Sequence, residues 1–79
     1  MTTYTYLLVY PDGDVQEAAR QLQINQIVDL NGFPLTPPLR TLRMIVYRVF
    51  RITRDEHRGE AVTRYHLELV KREEMLEYV

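Results

Sequence analysis

Two long runs of strand-forming residues constrain this chain most. Residues 42–52 and 62–70 are rich in β-branched and aromatic side chains, and neither run contains Gly or Pro. The polar stretch 55–60 lies between them and contains Gly59. This pattern predicts that the two runs form one long β-hairpin, with its turn centred near His57.

The predicted pairing gives the hairpin one apolar face. Side chains that oppose one another in an antiparallel pair point to the same face of the sheet. The pairs predicted for that face are Ile45–Leu69, Tyr47–Leu67 and Val49–Tyr65. This face is therefore the predicted core face, and its burial should fix the register.

The opposite face of the hairpin forms the candidate interaction face, because it is not polar as a solvated strand face should be. Its predicted members are Met44, Val46, Arg48, Phe50, Ile52, Arg64 and His66. Something is expected to cover these side chains. The cover is either the chain itself, through its C-terminal segment or by curling into a barrel, or the surface of a partner.

The N-terminal part predicts a second, shorter hairpin. Residues 4–10 form a strong strand pattern, and Pro11, Asp12 and Gly13 follow as a turn. The return strand would begin near Asp14. An alternative is a short helix at about residues 15–22, which Asp14 would cap and along which apolar side chains recur at helical spacing.

Three further segments complete the predicted fold. Residues 24–30 read as a strand, and Asn31-Gly32 is typical of a two-residue hairpin turn. The returning strand would be short and at an edge, because Pro34 has no backbone N–H to donate. Residues 71–79 contain strong helix formers and predict a short C-terminal helix.

These elements predict an all-β chain that forms one domain over residues 1–79. The expected architecture is a small antiparallel, partly open barrel of five or six strands, SH3-like or OB-like, with a short C-terminal helix. The alternative is an α+β fold with the helix at about 15–22. A chain of 79 residues without cysteine has to gain stability from tight packing or from oligomerisation.

Composition argues against catalysis, and we expect that the chain is not an enzyme. It contains no Ser and no Cys, which removes the commonest nucleophiles, and its three Gly residues stand apart in turns. His57 and His66 are nine positions apart, so they do not predict a compact metal pair. We therefore expect neither a cofactor nor a metal.

The two halves of the chain differ only slightly in net charge. Residues 1–39 hold one Arg and four acids, and residues 40–79 hold nine Lys or Arg and seven acids. An excess of this size is too small to attract nucleic acid or an anionic membrane strongly. The N-terminus has no basic segment followed by a long apolar one, so we expect a cytoplasmic protein.

The functional expectation is a small β-domain that works by protein–protein contact, with another protein or with a second copy of itself. Aromatic, Met and Arg side chains, which the candidate face combines, are enriched at interfaces. The alternative is a barrel that binds nucleic acid, in which Phe50 would stack on bases between Arg48, Arg51 and Arg64. A pI near 6.1 disfavours this alternative.

Overall fold

The computed structural model describes all 79 residues, and its main element is one five-stranded sheet curved into a half-barrel. The strands are β1 (Thr3–Val9), β2 (Val15–Glu17), β3 (Ile27–Val28), β4 (Tyr47–His57) and β5 (Glu60–Leu69). A one-turn helix, α1 (Arg72–Met75), and a 3-10 turn (Leu76–Tyr78) end the chain. The all-β class with a short C-terminal helix is thus confirmed.

The order of the strands is β2-β1-β5-β4-β3, and one pair is parallel. β1 runs parallel to β5 along its whole length, with Leu8 beside Tyr65, whereas every other pair is antiparallel. The expected antiparallel sheet is therefore corrected to a mixed one. No turn signal links β1 to β5, and their pairing follows from the burial of Leu8 against Tyr65 in the same core.

The central hairpin forms, but its turn lies closer to the C-terminus than expected. Arg58 and Gly59 both have positive φ, as a type I′ turn requires, and His57 lies opposite Glu60. The polar stretch that was expected to be a loop is therefore mostly strand. Alternating charges can occupy a strand whose faces are open to water, and residues 54–60 are all exposed.

This shift of the turn changes the predicted register. Tyr47 lies opposite Leu69 and Val49 opposite Leu67, two positions from the pairs expected. A β-bulge at Phe50 then moves the register again, so that Phe50 and Arg51 together oppose one residue, His66. Val49, Tyr65 and Leu67 are buried as predicted. The predicted core residues Ile45 and Leu69 are corrected, because both are about half exposed.

The N-terminal hairpin also forms, and the helix at about residues 15–22 does not. β2 occupies Val15–Glu17 and pairs with β1. The turn is closed by the Tyr10 N–H, which donates to the Asp14 carbonyl oxygen at 2.9 Å, and by the Asp12 carboxylate, which accepts from the Asp14 N–H at 3.0 Å. The Asp12 carboxylate therefore supports the turn, and Asp14 closes that turn instead of capping a helix.

The strand expected over residues 24–30 is reduced to β3. The carboxylate of Asp29 accepts hydrogen bonds from the backbone N–H groups of Asn31 and Phe33, and so shapes the loop that follows. Val28 then forms an isolated antiparallel bridge with Pro34. The return is short, as the proline predicted.

Two clusters of buried side chains lie on opposite faces of the sheet. We call the face that carries Val49 and Tyr65 the inner face and the face that carries Arg48 and His66 the outer face. The inner cluster contains Leu8, Tyr10, Leu22, Val28, Val49, Tyr65 and Leu67. The outer cluster contains Ile27, Leu39, Val46, Val70 and Met75, so the C-terminal segment covers one end of the outer face.

Candidate interaction surface

The C-terminal segment covers part of the candidate face. Val46 is fully buried, and Met44 packs against the same outer cluster as Met75 and Tyr78. Val46 therefore cannot anchor a partner in the folded chain, which corrects its expected role. Of the two covers considered from the sequence, the chain's own C-terminus is the one found at this end.

Arg48 fixes the C-terminal segment to the sheet. Its guanidinium donates to the carboxylate of Glu68, which lies opposite it on β5, and at 2.8 Å to the carboxylate of Glu74 in α1. The hydrogen bond to Glu68, followed by those to Tyr78 and Glu74, raises the pKa of Arg48 above its ordinary value. Arg48 is thus an internal clamp rather than the rim of a contact surface.

Ile52 lies on the other side of the sheet from the face expected. The bulge at Phe50 adds one residue, so Ile52 comes to lie opposite Tyr65 on the inner face. It is 38% exposed there. The guanidinium of Arg54 lies 5.8 Å from the ring centre of Tyr4, which is on the same face and is 58% exposed.

The exposed members of the candidate face continue into a row of side chains that crosses four strands. Val15 on β2 pairs with Val9 on β1, and Val9 lies beside His66 on β5. The Phe50 ring approaches the His66 ring edge-on, with 6.4 Å between ring centres. We call these four residues the outer patch. Phe50 and Val15 are each about half exposed, and neither cluster of buried residues contains any of the four.

Polar groups around the outer patch are held in fixed arrangements. His66 Nε2 lies 2.9 Å from the Thr53 hydroxyl oxygen, and the Arg64 guanidinium donates to the Asp55 carboxylate at 2.6 Å. Arg51, which shares the bulge with Phe50, has no carboxylate within salt-bridge distance. The patch therefore presents an exposed aromatic ring beside one unpaired cation, Arg51.

Beyond the outer patch, the hairpin continues as a sheet one layer thick. We call residues 50–64 the arm. No member of either core cluster comes from the arm, and the only strand beside it is β1, through Thr3–Leu7. Apolar and aromatic side chains are exposed on both faces of this layer, with Phe50 on one and Ile52 and Tyr4 on the other. A single layer can bury such side chains only against another molecule.

The structure has one small cavity and no cluster of side chains suited to a metal ion. The one cavity, of about 200 Å³, is at the tip of the arm and is lined by Thr2, Glu56, His57, Arg58, Gly59 and Glu60, with no hydrophobic side chain among them. No three His, Asp or Glu side chains are placed so that they could hold a metal ion together. Ligand pockets are usually larger and mostly apolar.

Sequence reasoning missed Val9 and Val15, which belong to the patch only because β1 lies parallel to β5. One signal was available in β1 itself. Leu7, Leu8 and Val9 are consecutive apolar residues, and such a run indicates a strand with apolar side chains on both faces.

Comparison with known proteins adds one finding. A family model described as an uncharacterised Treponema protein matches residues 2–78, which is nearly the whole chain. No curated protein and no solved structure matches the chain. The single α-helix has four residues, and no helix is long and apolar enough to cross a membrane.

Proposed function

We propose that this chain, which belongs to the family described as an uncharacterised Treponema protein, is a small non-enzymatic β-domain that works by protein–protein contact. The outer patch is the contact surface. The observation that carries this proposal is the position of Phe50, which is 50% exposed among apolar side chains on the part of the outer face that the C-terminal segment does not cover.

The chemistry of the outer patch supports a protein partner. Aromatic rings and Arg are enriched where protein surfaces meet, and a half-exposed ring flanked by aliphatic side chains is a typical anchor. Phe50 would supply the buried ring, Val9 and Val15 the apolar surroundings, and Arg51 a charged contact at the rim. The partner is another protein or a second copy of the chain.

Nucleic acid is a weaker candidate partner. Binding of a single strand would need free cations beside the aromatic ring. Of the three Arg residues expected to supply them, Arg48 and Arg64 are already paired with carboxylates, which leaves Arg51. Titration with labelled oligonucleotides at two ionic strengths would support this alternative if binding were found and weakened steeply with salt.

A photo-reactive amino acid at position 50 tests the proposed function in the cells that produce the chain. We expect it to cross-link to a protein, because Phe50 is the exposed aromatic ring of the proposed contact. Position 76 is the matched control, since Leu76 is similarly exposed but lies in the C-terminal 3-10 turn, outside the outer patch. If position 50 captured no more protein than position 76, the proposed contact surface would be wrong.

The cytoplasmic setting is also part of the proposal. Fractionation of the same cells, followed by detection of the chain in each fraction, tests it. Recovery with the soluble cytoplasmic proteins is the expected result, and recovery with the membranes would contradict it.

A further inference from the structure

The arm ends on one side in a strand edge that no other strand occupies. β3 and the residues before it pair with β4 only as far as Val49. The backbone N–H of Val49 donates to Gln26, and its carbonyl oxygen accepts from the N–H of Asn25. Residues 50–57 continue without a neighbour on that side. An open edge presents a row of unpaired N–H and C=O groups, which is a template for another strand.

The turn of the hairpin determines which residues of β4 present those groups. Residues that flank a two-residue turn exchange both of their backbone hydrogen bonds, so His57 directs its groups toward Glu60 on β5. The direction alternates along the strand. Ile52, Arg54 and Glu56 therefore direct their N–H and C=O groups to the open edge.

Charges along this edge are complementary to themselves when the strand is reversed. On the outer face, Arg51, Thr53 and Asp55 follow one another at alternate positions. Two antiparallel copies centred on Thr53 would place Arg51 of each opposite Asp55 of the other. Charges usually protect an edge because like charges meet on self-pairing, but here unlike charges meet twice. Oδ2 of Asp55 accepts from Arg64 of its own chain, and Oδ1 is the oxygen left for Arg51 of the other copy.

We infer that the open edge of β4 pairs with the same edge of a second copy, antiparallel and centred on Thr53. This inference deepens the proposed function and rests on it, because it names the partner as the chain itself. Ile52 of each copy forms a hydrogen-bonded pair with Arg54 of the other, giving about four backbone hydrogen bonds. The two five-stranded sheets become one continuous sheet, on which the two outer patches share a face.

Other registers of the same pairing fit less well. A centre at Arg54 places two guanidinium groups directly opposite each other, and a centre at Asp55 does the same with two carboxylates. A centre at Ile52 sets Asp55, Glu56 and His57 of each copy against residues 47–49, whose edge β3, Asn25 and Gln26 already occupy, whereas a centre at Thr53 sets only His57, the last residue of β4, against Val49. A pairing centred on Thr53 places residues 50–56 of one copy beside the same residues of the other, and no like charges lie directly opposite each other.

A single introduced cysteine tests both the pairing and its register, because the chain has no cysteine of its own. The pairing places Thr53→Cys directly opposite its own copy, within the range that a disulfide spans. Glu56→Cys is the matched control on the same edge, but the register places it roughly 20 Å from its copy. Under mild oxidation we expect Thr53→Cys to form covalent dimers at least about tenfold faster. Equal rates would overturn the inference.

Charge reversal provides a second test that does not depend on a disulfide. Arg51→Asp alone and Asp55→Arg alone each oppose like charges in the paired edges, so each variant should sediment as a monomer. An equimolar mixture of the two should form dimers, because the carboxylate introduced in one variant then meets the guanidinium introduced in the other, and the unchanged Arg51 meets the unchanged Asp55. A mixture that stays monomeric, with both variants folded by circular dichroism, would contradict the inference.

The outcomes also separate this inference from the proposed function. If the cysteines cross-link at equal rates while position 50 still captures another protein, the proposed function stands and a different partner occupies the surface. If position 50 captures nothing and the chain is monomeric, both are wrong.

Discussion

Gly32 shows at the scale of one residue how tightly the inner cluster is packed. It has a φ of +85°, and a Cβ atom on it would overlap the Cδ1 atom of Leu8, which is 1% exposed. Gly32→Ala should therefore lower the free energy of unfolding by about 2–4 kcal/mol, through backbone strain and steric overlap together. Urea unfolding measures the change.

Gly13 is the matched control for that substitution. Its φ of +91° is similar, but no atom lies within 4 Å of the position that a Cβ would take. Gly13→Ala should cost about 1 kcal/mol, from backbone strain alone. Equal losses of stability for Gly32→Ala and Gly13→Ala would mean that the overlap with Leu8 is relieved without an energetic cost.

Tyr10 is the residue for which a pH dependence can be predicted. Its hydroxyl donates to the carbonyl oxygen of Leu30 at 3.0 Å, and burial, followed by the nearby Tyr47 and the carboxylates of Asp29 and Asp14, raises its pKa above the usual 10.0. The folded state therefore favours the neutral phenol. This contribution to stability is complete below pH 10 and is lost as the pH rises through the raised pKa.

An ultraviolet titration of phenolate absorbance measures this effect. One of the six tyrosines should ionise later than an exposed tyrosine, and Tyr10→Phe should remove that late component. If Tyr10→Phe left the late component in place, the raised pKa would belong to another tyrosine.

At the scale of elements, the C-terminal segment is attached by one buried side chain and one clamp. Met75 is 3% exposed and packs in the outer cluster, whereas its neighbour Leu76 is 59% exposed. Met75→Ala should lower the free energy of unfolding by about 2–4 kcal/mol. Leu76→Ala should change it by less than about 0.5 kcal/mol. Thermal or urea unfolding of the two variants measures the difference. Equal losses of stability would contradict the role of Met75 in attaching the C-terminal segment.

Elements that depend on residues close together in the chain could be predicted from the sequence, but the pairing of distant strands could not. The turn at Pro11–Gly13, the two long strands and the C-terminal helix depend on residues near one another in the chain, and all of them form. The pairing of β1 with β5 joins residues more than fifty positions apart, and nothing near β1 in the chain identifies β5 as its partner.

The candidate face could be predicted in part, for the same physical reason. Phe50 and His66 share the outer face, since they lie on neighbouring strands of one hairpin. Ile52 was misplaced because one bulged residue reverses every later side chain, and nothing in residues 42–52 signals a bulge. Val46 was expected at the surface because its burial depends on Met75, nearly thirty residues later.

At the scale of the whole molecule, the chain combines a packed half with a thin one. The extents are 44 × 22 × 17 Å, and the two core clusters lie at the end that holds the helix and β3. The arm extends away from them as a single layer with apolar side chains on both faces. A second copy beside the arm would bury part of this surface and occupy the open edge of β4.

Sedimentation equilibrium of the wild-type chain and of Phe50→Glu, over a range of concentrations, is the most direct test that this surface binds a second copy. The wild type should approach about 19 kDa, twice its 9.5 kDa mass, as concentration rises. Phe50→Glu should stay monomeric and folded, because Phe50 is half exposed and the new carboxylate, on the outer face beside Arg51, would lie close to Asp55 of the second copy. A wild type that is monomeric at every concentration, or a dimer that Phe50→Glu leaves intact, would contradict the account.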